Sequence, residues 1–314
     1  MPSKLSIVAA FVGTLTVFGS VRADTQTQPA ATFRSSVDLV RISAVVRDHK
    51  GRFVQDLSSR DFEVLDDGQA RAITDFRADL AGVSVAFLFD VSGSMEAKMP
   101  NAREAAAHVL SWLEPEKDEA AIFTFDTRLD QVMPFTSGLR TLPESMSSVV
   151  PFGATSLHDA IARTAEKVGQ REARRRAVIV FTDGGENASR LSASDASGVA
   201  SGIDVPVYIF GIVPSIDNPA TDIGASATGR SPLSGALSEL STRTGGHVFV
   251  ASTPGQRSIA ARQIVDELRH QYLIAFESSG KPGWHPLVVR ARGKDLTVRA
   301  RNGYIAGQSR PISD

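Results

Sequence analysis

Hydrophobic positions along the chain fall into distinct patterns, and each predicts a different element. Residues 83–90 and 177–182 are nearly continuous apolar runs rich in β-branched and aromatic side chains, as in strands buried on both faces. Residues 205–212 read the same way, and 120–125, 129–135 and 246–251 complete the central set of strands. Helical spacing lies between them. In 98–113, Ala102, Ala105, Ala106, Val109, Leu110 and Leu113 fall mostly on one stripe, as do Leu157, Ile161 and Val168 in 156–168. Helices are also expected over 140–149 and 258–270. Strands alternating with helices in this way predict an α/β fold around a mostly parallel sheet.

The two ends are patterned differently. Residues 37–47 alternate, with Val37, Leu39, Ile42, Ala44 and Val46 apolar, and one slip of phase near Val40 marks a candidate bulge. A short strand over 62–65, an Asp-Asp-Gly turn at 66–68 and a return strand over 72–77 follow. Near the other terminus 272–277, 286–291 and 296–301 are strand-like, joined by turns at 280–283 and 293–295. The N-terminal set, about forty residues, is small to stand alone, and the C-terminal set supplies partners for it. The expectation is that the two ends pair into one small β-sandwich. Two separate sheets, the alternative, would each bury less surface.

Composition and local sequence narrow the picture further. The 314 residues are 42% hydrophobic and 22% charged, enough for a full α/β core plus a smaller module. A formal net charge of -1 gives no basis for nucleic acid or an anionic membrane as partner. The basic run 171–176 is short and precedes a strand, and reads as a solvated connection. With no cysteine there is neither a disulfide framework nor a thiol for lipid attachment. Lys4, the apolar segment 5–18 and the small-residue stretch ending at Ala23 have the form of a secretory signal. That segment is shorter than the ~20 residues of a spanning helix, so an uncleaved anchor is the lesser alternative. The chain then divides into a signal over 1–23, a polar lead over 24–35, an N-terminal β segment over 36–80, a central domain over 83–270, a C-terminal β segment over 271–306 and a tail over 307–314. The mature protein is expected to be periplasmic or released, without membrane insertion. The Gly-, Ser- and Ala-rich loop 214–232 is read as mobile rather than as a binding segment.

The candidate chemistry lies where apolar runs stop. The strand at 83–90 ends in Asp90, followed by Ser92 and Ser94 before a helix, with Gly93 allowing a tight turn. Loops at the carboxyl ends of strands line the ligand crevice of open α/β sheets. Taken alone, this Asp-x-Ser-x-Ser pattern also suits a helix cap. Two further stretches decide between the readings. Thr155 again precedes a helix, and Asp183 again ends a buried strand, so three loops deliver oxygen donors to one edge of one sheet. Carboxylates and hydroxyls suit hard cations such as Mg²⁺, Ca²⁺ or Mn²⁺ better than zinc or copper.

This constellation resembles the von Willebrand factor A (vWA) domain and its metal-ion-dependent adhesion site. By that resemblance Asp90, Ser92 and Ser94 match the first motif, Thr155 the isolated threonine and Asp183 the last aspartate. The flanks around 37–68 and 272–304 are similar to the secreted bacterial vWA-related family. The resemblance implies a doubly wound, mostly parallel, Rossmann-like sheet with an antiparallel edge at 129–135, flanked by the small β-sandwich. It also implies a divalent cation, Mg²⁺ first, bound directly by the serines and threonine and through water by one or both aspartates. A position left open on that cation would capture an exposed Asp or Glu of a protein partner.

Two other functions remain as alternatives. A metal-dependent hydrolase would need a general base, for which Glu186 is the candidate, although its Gly-rich surroundings favour a solvated or capping role. Ser92 lacks the small residue of a nucleophile elbow. His158, at a helix start, reads as a satisfied polar residue. The third class is a metal-independent scaffold with a vestigial site, whose contacts would come from features such as Trp284 and His285 in the turn region, where Trp284 more commonly anchors a β module.

Overall fold

The computed structural model describes residues 39–78, 82–171, 174–213, 233, 235–293 and 295–306. The signal, the polar lead, the loop 214–232 and the tail lie outside the described residues. The N-terminal strands are β1 (Leu39–Arg47), β2 (Phe62–Asp66), β3 (Gln69–Arg71) and β4 (Ile73–Arg77). The central elements follow as β5 (Val83–Asp90), α1 (Met99–Trp112), β6 (Glu119–Phe125), β7 (Leu129–Ser137), α2 (Leu157–Gly169), β8 (Arg175–Thr182), α3 (Ala193–Gly202), β9 (Val207–Ile212), α4 (Gly235–Arg243), β10 (Val248–Ala251) and α5 (Pro254–Arg269). The chain ends with β11 (Gln271–Glu277), β12 (Gly283–Ala291), β13 (Thr297–Arg299) and β14 (Gly303–Ala306).

The central sheet has the order β10-β9-β8-β5-β6-β7, parallel throughout except for the antiparallel edge β7. Every residue of β5, β6 and β9 is buried, which is why these segments read as unbroken apolar runs. One face packs Phe87, Phe89, Phe181 and Phe210 under α1 and α5, with Phe89 and Phe181 stacked at 4.8 Å. The other packs Leu88, Phe123, Val178 and Ile209 under α2, α3 and α4. Thus β5 sends its helix to one face and β8, its neighbour, to the other. The winding reverses between these two strands, and a crevice opens above their carboxyl ends.

The flanking strands form two four-stranded antiparallel sheets, β13-β1-β11-β4 and β14-β12-β2-β3, each built from both ends of the chain. They share a core of Val40, Ile42, Ala44, Val46, Phe62, Val64, Tyr272, Ile274, Phe276, Leu287 and Tyr304. The sandwich expected from the flanks is therefore present. It is tied to the central layers by Asp204, which accepts hydrogen bonds from the Ser43 amide at 3.0 Å and hydroxyl at 2.8 Å, and by Glu267, which pairs with Arg47 and Arg299.

Several local expectations are corrected. No bulge occurs at Val40: β1 pairs continuously with β11 from Leu39 to Val45, and the even-numbered residues face the core while Leu39 is exposed. The register shift lies instead between Ala275 and Phe276, opposite β4. The strand expected at 72–77 is present as β4 but is not the return of the hairpin: β3 pairs with β2 instead, and after Ala72 the chain crosses to the other sheet, where β4 pairs with β11. Only a 3-10 turn, Glu144–Ser147, forms within 140–149. Pro143 starts it, the serines that follow are poor helix formers, and Met146 alone of the turn is buried. Helices α3 and α4 were not expected; in α3 small residues leave little apolar periodicity. Gly283 and Trp284 belong to β12 rather than to a turn. The basic run is also less solvated than expected. Arg171 is bidentate to the buried Glu119 at 2.7 Å for both bonds, and Arg175 is buried with its guanidinium donating to the Ala78 carbonyl.

Candidate metal site

Asp90 is the last residue of β5 and is wholly buried. Its Oδ1 accepts the Ser92 amide at 3.0 Å, which closes the turn after the strand, and its Oδ2 accepts the Thr182 hydroxyl of β8 at 2.7 Å. The Thr182 Oγ1 accepts in turn from the Gly184 amide at 3.0 Å. Burial pushes the Asp90 carboxyl up, against its hydrogen bonds, and the nearby Asp183 charge adds to the rise. Asp183 is the opposite case. Burial again opposes its charge, but the Lys98 ammonium, the Gly185 amide and the Ser94 hydroxyl outweigh it and hold the carboxyl below the ordinary aspartate range. Lys98 Nζ donates to Asp183 Oδ2 at 2.6 Å and the Gly185 amide to Oδ1 at 3.1 Å.

Three loops are stitched together by main-chain hydrogen bonds. The Phe152 amide donates to the Val91 carbonyl at 2.8 Å, and the Gly93 amide to the Gly153 carbonyl at 3.1 Å, so the Asp-x-Ser-x-Ser loop is clasped to the segment before α2. The Thr155 carbonyl accepts from the Asn187 and Ala188 amides at 3.1 and 3.0 Å, and the Thr155 amide donates to Asn187 Oδ1 at 2.8 Å. That second set joins the threonine loop to the loop after β8.

The five residues singled out from sequence are brought together. Ser92 is buried, with its hydroxyl 3.3 Å from that of the exposed Ser94. Gly185 marks where the loops meet. A β-carbon placed on it would lie 3.3 Å from Asp183 Oδ1 and 3.8 Å from both Ser94 Oγ and Thr155 Oγ1. Oxygens from three loops therefore face one small volume that a glycine leaves open. The donor set is oxygen only, with two carboxylates and three hydroxyls, which fits a hard divalent cation. Among the described residues no cluster of three or more His, Asp or Glu side chains is placed to hold a metal, so a cation here would depend on the hydroxyls.

Four participants were not found from sequence: Thr182, Lys98, Gly185 and Asn187. Lys98 carries a signal of sorts, since it occupies the N-cap position of α1, where the helix dipole disfavours a cation. A lysine there implies an acidic partner, and Asp183 is that partner. The two side residues also resolve. Glu186 accepts the amides of His158, Ala188 and Ser189, capping the start of α2, and His158 Nδ1 lies 3.2 Å from the Leu191 carbonyl.

Comparison with known proteins identifies the domain family. A profile of the von Willebrand factor type A domain matches residues 84–264, more than half of the chain. No functionally curated protein matches it. Among solved structures, the chain is 21% identical to an aerotolerance-related membrane protein from Bacteroides fragilis, over 60% of this chain and 98% of that one, with a TM-score of 0.49. It is 12% identical to a von Willebrand factor type A protein from Catenulispora acidiphila, over 88% and 76%, with a TM-score of 0.47. It is 20% identical to proximal thread matrix protein 1 from the mussel byssus, solved with a zinc-occupied MIDAS motif, over 65% and 49%, with a TM-score of 0.46. With a domain-length profile match over the layers that carry Asp90, Thr155 and Asp183, the chain belongs to the von Willebrand factor type A domain family.

Proposed function

We propose that this chain is an exported, non-enzymatic binding protein in which Asp90, Ser92, Ser94, Thr155 and Asp183 hold a divalent cation that captures a carboxylate of a protein partner. The convergence of Asp183 Oδ1, Ser94 Oγ and Thr155 Oγ1 on the space above Gly185 is the observation that supports this most directly. When bound, the cation supplies a Lewis-acidic position for an Asp or Glu side chain of the partner. Mg²⁺ is the first choice, with Ca²⁺ or Mn²⁺ as alternatives, because all donors are hard oxygens and only two carry charge. The chain's own residues position the donors. Thr182 and the Ser92 amide hold Asp90, and the clasped loops hold the hydroxyls.

Export rests on the N-terminal signal pattern. No described helix is long and apolar enough to cross a membrane, a statement that does not reach β-barrels. The hydrolase alternative has less support, since both Glu186 oxygens accept capping bonds and the Ser189 hydroxyl bond. Asp183 is the residue to change in a test. Asp90 also supports Ser92 and Thr182, so replacing it would disturb the loops as well as the site. Mg²⁺, Ca²⁺ and Mn²⁺ titrated calorimetrically into metal-stripped protein, with and without acetate as a carboxylate mimic, should bind saturably to the wild type and not to Asp183→Ala. Absence of binding with acetate present would favour the vestigial-scaffold reading.

A further inference from the structure

Val150 and Phe152, on the loop before α2, are 79% and 80% exposed, more than any other large hydrophobic residue among the described residues. Single exposed apolar side chains are ordinary on protein surfaces. This pair differs because the segment that carries it is held in place. Met146 is buried at one end, Val149 packs against the α1-side core, and the Val149 carbonyl accepts the Arg103 guanidinium at 3.2 Å. Beyond Pro151, the Phe152 amide is bound to the Val91 carbonyl at 2.8 Å and the Gly153 carbonyl to the Gly93 amide at 3.1 Å. The backbone that carries Phe152 is thus held by the clasp that shapes the Asp-x-Ser-x-Ser loop, and its ring stands exposed there. The main-chain position of Phe152 is therefore set by the same contacts that arrange the candidate site.

We propose that Val150 and Phe152 form an apolar rim of that site and select a partner segment in which the captured Asp or Glu is flanked by a bulky apolar side chain. The proposal rests on the carboxylate-capture reading and specifies its partner. Val91 and Gly93, the residues clasped to this loop, flank Ser92, so Val150 and Phe152 lie on the segment bound next to the site loop. A carboxylate alone would be shared by any acidic surface, whereas an apolar neighbour adds selection through surface removed from water. The loop is already bound in place, so little ordering cost opposes the contact.

The test uses two probes, acetyl-Gly-Asp-Gly-amide and acetyl-Leu-Asp-Leu-amide. Their binding to the full mature chain in saturating Mg²⁺ is followed by ligand-observed NMR, with EDTA as control. The leucine-flanked peptide is expected to bind roughly tenfold more tightly than the glycine-flanked one, since burial of a large apolar side chain is worth about that factor or more. In Phe152→Ser the gap should close while the glycine-flanked peptide binds as before. An unchanged melting temperature for this variant shows that the fold is intact. Equal Mg²⁺-dependent binding of both peptides to the wild type overturns the rim and leaves carboxylate capture standing. Binding of neither overturns both readings. Preference for the leucine peptide that survives EDTA also overturns the proposal, because the rim would then act independently of the site.

Discussion

Replacing Lys98 by methionine tests the electrostatics of the site most sharply. Its ammonium lies 2.6 Å from Asp183 Oδ2, with side-chain exposures of 26% for Lys98 and 10% for Asp183. The pair is sheltered on the aspartate side and open to water on the lysine side. A cation entering the site must share or displace that ammonium. Hydrogen bonds to charged groups contribute about 1.5–3 kcal/mol, and the displaced ammonium recovers part of this by hydration, leaving a cost of about 1–2 kcal/mol. Removing the cost corresponds to roughly five- to thirtyfold tighter metal binding. Methionine keeps an unbranched apolar stem of similar length, so packing at the start of α1 should be little altered. Calorimetric titration of Mg²⁺ into metal-stripped wild type and Lys98→Met, at several salt concentrations, measures the difference. Equal or weaker affinity in the variant would refute the reasoning, since it would mean that the ammonium does not compete for Asp183.

The space above Gly185 and the Arg171–Glu119 pair give two further expectations. Gly185→Ala should weaken Mg²⁺ binding by about tenfold or more with little loss of stability, because the new methyl would crowd Asp183 Oδ1 at 3.3 Å while the backbone there is not left-handed; titration and thermal melts on the same sample would show both effects. Arg171→Met should cost about 2–3 kcal/mol at pH 7, measured by urea unfolding, because it leaves the buried Glu119 carboxylate without its guanidinium. Burial opposes the Glu119 charge, but Arg171 and Ser84 outweigh it and hold the carboxyl below its ordinary 4.5. The pair's contribution is therefore present above about pH 4.5 and is lost as pH falls through the lower folded-state value, so wild type and variant should converge in acid. A difference that persists there would place the cost in lost packing of Arg171 over the Phe135 ring.

Much of the chain was legible because its patterns report local burial. Continuous apolar runs identified β5, β8 and β9, and oxygen-bearing residues at the ends of β5 and β8 identified Asp90 and Asp183. Where small residues pack closely, the pattern fails. Helix α3 fits beside β14 at Gly198, whose absent β-carbon would lie 2.8 Å from Ile305 Cδ1, and such packing leaves no apolar stripe to read. The segment 140–149 failed for the opposite reason, since its apolar residues suggested a helix that Pro143 and the serines do not support.

The sequence by itself determined the oxygen donors, their loops and the alternation that makes an α/β sheet with β flanks, because each depends on side-chain chemistry or on a period of a few residues. The tertiary structure decided how those donors meet. Thr182 reaches Asp90 across 92 positions of sequence and Lys98 reaches Asp183 across 85, distances that only the order of strands in the sheet can close. A main-chain bond to Val91, 61 positions away, likewise holds Phe152 beside the Asp-x-Ser-x-Ser loop. Local sequence encodes which groups are present, while the reversal of winding between β5 and β8 determines which of them share one crevice.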